Sequence, residues 1–246
     1  MSGRLASLST PSRSRSSPSP SPSPAPATPL RQTETTHHRM LKLVITEVKN
    51  VIRTWDEIII LEGYKAAKGC IDETTEMDNL LDVEEKPERP EIGPHLSDLY
   101  GHRVALQAAM AKLDNNLGKL NQLADQADKV LLGACSRETS DFIFVEPLWL
   151  TWTLEHFVNS ISSLIPLHTS HLAELTIITT TILDPATSFD DAKYSIEAWR
   201  DLASGGERWD GVREWEDLVE LELTRGELVE EDEDEDNFQK NGKKRR

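Results

Sequence analysis

The sequence predicts an all-α protein: a long antiparallel coiled-coil helical hairpin packed with shorter C-terminal helices, between disordered termini. Two long segments predict the hairpin, because their apolar residues recur at alternating spacings of three and four. The two ends of the 246-residue chain have biased compositions that cannot build a packed core. We therefore expect a Ser/Pro-rich tail over residues 1–36, a helical domain over 37–224, and an acidic then basic tail over 225–246. Within the domain, the hairpin is expected over 38–133 and the C-terminal helices over 148–224.

The N-terminal tail alternates Ser and Pro from Ser17 to Pro24. Proline cannot donate a backbone hydrogen bond, so this run is expected to be extended and solvated. Each Ser-Pro or Thr-Pro pair is also a minimal site for a proline-directed kinase, and Thr10 and Thr28 have Arg three positions later, as cyclin-dependent kinases prefer. The alternative is a linker with no specific role. The phosphorylation candidates are Thr10, Ser17, Ser19, Ser21, Ser23 and Thr28.

The first long helix is predicted from an apolar seam that extends to about Leu81, where Gly63 and Gly69 weaken its second half. The seam consists of Leu41, Ile45, Val48, Ile52, Trp55 and Ile59, followed by Ala66 and Cys70. Residues 82–94 contain Pro87, Pro90 and Pro94 and are expected to form a loop.

The second long helix has a seam with a single polar member, Arg103. Because the Pro-rich connection is short compared with either helix, we expect the two helices to pack antiparallel. The seam positions are Leu96, Leu99, Arg103, Leu106, Met110, Leu113, Leu117, Leu120, Ala124, Ala127 and Leu131.

The C-terminal helices begin after an apolar run, Phe142–Val145, which suits either a strand-like arm or a packing plug. Thr151 or Thr153 is the expected N-cap of a helix that Pro166 must kink or interrupt. Residues 176–182 are rich in β-branched side chains, but the flanking periodicity favours a helix. Two short amphipathic helices are expected to start near Ser188 and Asp210.

The C-terminal tail joins an acidic block, Glu230–Asp236, to a basic end. Like charges at this density repel each other and favour an open chain. The basic cluster is typical of nuclear-import signals and predicts localisation in the nucleus; the alternative is a solvated tail without a receptor. Its members are Lys243, Lys244, Arg245 and Arg246.

Composition narrows the function classes. The sequence contains no uncharged apolar stretch of about 18 residues and no apolar run after its N-terminal basic residues, so we expect neither a membrane span nor a secretory signal. The net charge of −16 argues against direct nucleic-acid binding. Cys70 and Cys135 are too few for a disulfide framework or a Cys-based zinc site. A reducing compartment is the default expectation.

The sequence offers no constellation for catalysis. It contains neither a phosphate-binding glycine loop nor a His-Glu-x-x-His motif. His168 and His171 are spaced to share a helix face, but no third ligand follows, so ordinary surface or capping roles are expected. His37 and His38 adjoin the tail and are expected to be solvated. We predict that the protein is not an enzyme and has no catalytic residue, cofactor or metal.

The tryptophan positions say more about function than the histidines do, since five of the six Trp lie in the last 100 residues. Each ring either fills the core or anchors a partner. The partner-binding candidates are Trp55, Trp152, Phe157, Trp199, Trp209 and Trp215.

Three stretches carry a family resemblance: Ile52–Glu57 with its Trp, the leucine-seamed helix from Leu106 to Leu132, and a set of positions in the C-terminal helices. That set is Leu150-Thr151-Trp152, Phe157, Glu174-Leu175 and Trp199. In this order, residues 40–202 resemble the cyclin-dependent kinase 2-interacting protein family of small helical nuclear proteins. The chain departs from the family pattern after Trp199, where Arg200-Asp201-Leu202 replaces a Gln-Pro-Tyr-like ending.

The resemblance implies a non-enzymatic nuclear adaptor that works as part of a hetero-oligomer. Its implied partners are a cyclin-dependent kinase, a checkpoint kinase complex, or an AAA+ ATPase assembly. The implied processes are the cell cycle, DNA replication, the DNA damage response and ribosome biogenesis. The alternative is a structural coiled-coil subunit of a fixed complex, of the kinetochore or tethering type.

Overall fold

The computed structural model describes residues 34–82 and 91–242, with side chains as far as Thr224. All regular structure in this part of the chain is helical, which confirms the all-α class. The phosphorylation candidates and the nuclear-import candidates lie outside the described residues, and so do the side chains of the acidic block. The helices are α1 (Thr36–Glu57), α2 (Tyr64–Leu81), α3 (Gly93–Cys135), α4 (Ser140–Phe144), α5 (Leu154–Ser162), α6 (Leu164–Leu183), α7 (Phe189–Ser204) and α8 (Glu207–Gly242).

The hairpin is formed by α1 and α2 on one side and α3 on the other. Near the loop, Glu73 Oε2 lies 2.8 Å from His95 Nδ1. At the far end, His37 Nε2 lies 3.5 Å from Glu138 Oε1. Going from the loop to the far end, residue numbers fall along the first arm and rise along α3. The two arms therefore run in opposite directions. Supercoiling of the pair stays a prediction.

From Leu106 to Leu120, the buried face of α3 matches every second position of the predicted seam and differs by one position at those between. Leu106, Leu113 and Leu120 are fully buried, as the seam requires. Between them the structure buries Ala109 and Asn116, whereas Met110 and Leu117 are only partly buried. Leu96, the first predicted seam residue, is 49% exposed. The predicted seam followed the large apolar side chains and therefore missed this shift. Small residues such as Ala109 are buried instead because they let the neighbouring helix approach closely.

A π-helical segment, Ile58–Gly63, joins α1 to α2 without breaking the helical path. The backbone N–H of Tyr64 bonds to the Ile59 carbonyl oxygen, which also accepts a 3.3 Å hydrogen bond from Trp199 Nε1. The indole of Trp199 lies directly on Gly63, where a Cβ atom would be 2.4 Å from the ring. Gly63, which was expected to weaken this helix, therefore provides the space that the Trp199 ring of α7 occupies.

The C-terminal helices settle four expectations. Residues 140–144 form the short helix α4 rather than a strand-like arm, and Ile143 is buried as a packing plug. Thr153 caps α5 by accepting from the His156 N–H at 3.2 Å. The helix is interrupted at Ser163, so Pro166 falls in the first turn of α6. The β-branched run is helical, as predicted, and Thr176, Thr180 and Thr181 donate their hydroxyls to carbonyls four residues earlier.

The core consists of two apolar clusters that α3 connects. The first joins the N-terminal part of α1 and the C-terminal half of α3 to α4, α5 and α8. The second joins Trp55, the π segment and α2 to the N-terminal half of α3, with α6 and α7. The surface of the first cluster, between α5 and α8, carries the candidate site.

Candidate partner-binding groove

Glu222 of α8 fixes the segment that precedes α5. Glu222 is 3% exposed, and its carboxylate accepts the backbone N–H groups of Leu150, Thr151 and Trp152 at 3.2, 2.8 and 3.1 Å, as well as the Thr151 hydroxyl. Burial raises the pKa of Glu222, but these hydrogen bonds outweigh burial and the net pKa is lowered. The ionised carboxylate thus anchors residues 150–152 to α8.

Trp152 is held at the start of α5 by this anchor. Its ring meets the ring of Phe157 at a centroid distance of 5.0 Å and that of His156 at 4.5 Å. Phe157 is fully buried, His156 is exposed, and Trp152 lies half-buried between them. One face of this indole is therefore fixed by the core while the side chain remains accessible to solvent.

The opposite wall of the site is α8. The Nε1–H of Trp215 donates to Ser160 Oγ at 3.0 Å and ties α8 to α5. Gly211 lies so close to Leu167 that a Cβ atom would be 2.8 Å from its Cδ1. On the solvent side of α8, Leu218 and Leu221 are 40% and 42% exposed.

Between the two walls lies an open groove of about 380 Å³. Its apolar surface comes from Trp152, Trp215 and Leu218, and its polar groups include the carboxylate of Glu214. A volume of this size holds about two or three side chains, so the groove suits a short peptide segment with an apolar anchor. The lining residues are Trp152, His156, Asn159, Ser160, Ser163, Gly211, Glu214, Trp215 and Leu218.

The structure separates the six predicted partner-binding residues. Trp55, Phe157 and Trp199 are fully buried, so for these three the partner-binding prediction is corrected to a core role: a side chain without exposed surface cannot contact a partner. Trp215 is 5% exposed and lines the groove. Trp152 is half-buried and lines the groove; Trp209 is also half-buried but is not part of its lining.

Trp55 lies in a buried polar cluster that the sequence did not reveal. Its Nε1–H donates to His171 Nδ1 at 3.2 Å, and His171 Nε2 donates in turn to the Leu202 carbonyl at 3.1 Å. His168 Nδ1 bonds to the Leu164 carbonyl at 2.8 Å, and its ring stands edge-on to the Trp55 ring. Both histidines are buried, so the expected surface role is wrong, whereas His171 does bond a carbonyl in the last turn of α7. α6 packs against α3, α7 and α8, and the two rings face Trp55 of α1, which removes them from solvent.

Arg208 and Asp56 complete this cluster. Arg208 Nη2 lies 2.7 Å from Asp56 Oδ1, and the guanidinium carbon is 5.8 Å from the Trp55 ring centroid. Burial raises the pKa of Asp56, although Arg208 opposes the rise; burial likewise lowers the pKa of Arg208, opposed by Asp56. Burial and the charge of Arg208 lower the pKa values of His168 and His171 to about 4. Both histidines are therefore neutral at neutral pH.

His37 and His38 are also buried, against the expectation that they are solvated. His38 Nε2 lies 2.7 Å from the Leu148 carbonyl oxygen, and the ring packs edge-on against Trp149. The first turn of α1 therefore closes over the segment that leads to Trp152, which is why these rings leave solvent.

A spacing in α8 could have identified two of the missed charged residues. Its buried positions alternate by four and three, and the series begins and ends with a charged side chain. Such a position on an apolar face predicts a buried charge that requires a partner. The series is Arg208, Val212, Trp215, Val219 and Glu222.

Comparison with known proteins adds no relative: no family model and no curated protein matches this chain. Within residues 34–82 and 91–242, no helix is long and apolar enough to cross a membrane. The same described ranges contain no group of three or more His, Cys, Asp and Glu placed to hold a metal ion.

Proposed function

We propose that this protein is a non-enzymatic nuclear adaptor that docks a protein partner in the groove between α5 and α8. The observation that carries the proposal is the accessible apolar surface of half-buried Trp152 and exposed Leu218 in one groove, where the buried carboxylate of Glu222 fixes the backbone of Trp152. Exposed apolar surface that is fixed in position by the core is typical of interaction sites.

The chemistry of the groove favours a peptide segment that combines an apolar anchor with a basic residue. Two indoles and Leu218 supply the apolar contact, and Glu214 supplies a negative charge at the same surface. The net charge of −16 further favours encounter with a positively charged partner. The resemblance to the cyclin-dependent kinase 2-interacting protein family supports a cyclin-dependent kinase, a checkpoint kinase complex or an AAA+ ATPase as the partner.

The experiment compares partners recovered with the tagged full-length protein and with two charge variants. Leu218→Glu places a carboxylate in the groove, and we expect it to reduce recovery of a stoichiometric kinase or ATPase at least tenfold. Leu43→Glu is the matched control, since Leu43 is 68% exposed on α1. Equal helical content and thermal midpoints would show that both variants fold.

Two results would contradict the proposal. Undiminished recovery with Leu218→Glu would place the partner elsewhere. Recovery of only coiled-coil proteins in a constant ratio would instead support a structural subunit of a fixed complex.

A further inference from the structure

No described residue covers the outer face of α3, which carries little charge. Tyr100 and Val104 are 71% and 47% exposed. Among the exposed residues of this described helix between Leu96 and Ala111, only Asp98 is charged. In a chain of which 28% is charged, a surface of this kind is typical of a site where another helix packs.

The exposed positions of this face follow their own heptad spacing. They alternate by three and four, as the buried face does, and each carries a small or uncharged side chain. A Cβ atom built on Gly101 or Gly118 would have no atom of the described residues within 4 Å, so the backbone is open to close approach. The positions are Gly101, Val104, Ala108, Ala111, Asn115 and Gly118, and Asp125 ends the pattern. A heptad stripe without charge predicts a facing helix.

The charges beside the stripe identify the facing helix as a second copy. In an antiparallel pair related by a two-fold axis near Leu106, Val104 of one copy faces Ala108 of the other, and Gly101 faces Ala111. The same register places Asp98 opposite Lys112, and Tyr100 opposite Asp114, once on each side of the axis. All four flanking residues are exposed on α3, although Lys112 also contacts Glu62 in its own chain at 2.5 Å.

We propose that two copies of this protein pair antiparallel through the outer face of α3, with Asp98 and Lys112 forming reciprocal ion pairs. Such an interface is isologous, because each residue and its counterpart meet twice. The small side chains along the stripe let the two helices approach closely, which compensates for the modest apolar area. The proposal is independent of the groove, since none of the groove-lining residues belongs to α3.

The test is a charge swap measured by sedimentation equilibrium of the full-length protein from about 1 to about 200 µM, the range of weak interfaces. Wild type is expected to dimerise in this range. In an Asp98→Lys dimer, each new lysine would face Lys112 of the other copy. In a Lys112→Asp dimer, each new aspartate would face Asp98 of the other copy. Each variant alone is therefore expected to dimerise at least tenfold more weakly. An equimolar mixture of the two variants is expected to dimerise again, because both ion pairs are restored between unlike copies.

The control pair is Asp128→Lys and Lys129→Asp, which make the same changes of charge beyond the end of the stripe. Ala108→Glu, at the centre of the exposed face, is a second disrupting variant that is not expected to disturb the core. A wild type that stays monomeric throughout would overturn the proposal. So would a dimer that survives Ala108→Glu and both charge variants.

Discussion

At the scale of single residues, His168 and His171 show how two polar rings are kept inside an apolar core. His171 uses both ring nitrogens, one to accept from Trp55 and the other to donate to the Leu202 carbonyl. His168 bonds to the Leu164 carbonyl through Nδ1, while its buried Nε2 has no hydrogen-bond partner among the described residues. Neutral rings satisfy this geometry, whereas a second positive charge beside Arg208 would not be compensated.

The two histidines predict that acid destabilises the fold before the carboxylates titrate. Their folded pKa values of about 4 lie below the ordinary 6.5, so the unfolded chain binds protons more tightly. Stability is therefore complete above pH 6.5 and falls as the pH approaches 4. Between about pH 7.5 and about pH 5, each histidine is expected to lower the free energy of unfolding by about 2 kcal/mol.

Urea denaturation at a series of pH values measures this loss. The variant His168→Phe keeps an aromatic ring beside Trp55 and should remove about half of the pH dependence between pH 7.5 and 5. A wild-type midpoint that is constant over this interval would show that the two rings are solvated or already charged in the folded state.

At the scale of elements, the π segment of the first arm has a definite structural role. The wider turn presents the Ile59 carbonyl to Trp199, and Gly63 provides room for the ring. Both features attach α7 to the hairpin at one point. π-Bulges persist where a local contact compensates for the irregular turn.

The variant Gly63→Ala tests this attachment. Replacing Gly by Ala within a helix normally stabilises by about 0.5–1 kcal/mol. Here the added methyl would lie 2.4 Å from the fully buried Trp199 ring, so we expect a net loss of about 1–3 kcal/mol from overpacking. The matched control is Gly133→Ala on α3, which should stabilise, because its Cβ would meet no atom of the described part of the chain within 4 Å. Similar increases in the two thermal midpoints would show that the ring does not require the glycine.

The same element shows where sequence reasoning succeeds and where it stops. Leu41, Ile52 and Trp55 were placed on the buried face of α1 because a 3.5-residue spacing depends only on local geometry. Neither the π segment nor the choice of Ala109 over Met110 follows from that spacing, because both depend on which helix packs alongside. The groove is a third case: Trp152 was a candidate, but Glu222, which positions its backbone, is 70 residues away in the chain.

At the scale of the whole molecule, α3 makes one domain from two apolar clusters. Leu113 belongs to the second cluster and Leu120 to the first, and the fully helical backbone between them passes through both. Asn116 lies at the junction, 3% exposed, and its Nδ2 has no hydrogen-bond partner among the described residues. A polar residue at one position of a buried heptad costs stability and can specify the register of the packed helices.

Replacing Asn116 by Leu is therefore expected to stabilise the molecule. Leu has the same branching as Asn and removes an unpaired buried amide, so the free energy of unfolding should rise by about 1–3 kcal/mol. The variant Asn121→Leu is the control: Asn121 is exposed and donates to the Leu117 carbonyl at 2.9 Å, so the change there should be within about 0.5 kcal/mol.

Guanidinium unfolding followed by both circular dichroism and tryptophan fluorescence measures the two values. Because the heptad continues through the junction, both signals should show one coincident transition in every variant. A decrease in stability for Asn116→Leu would mean that Asn116 is satisfied in solution, and separated transitions would mean that the two clusters unfold independently.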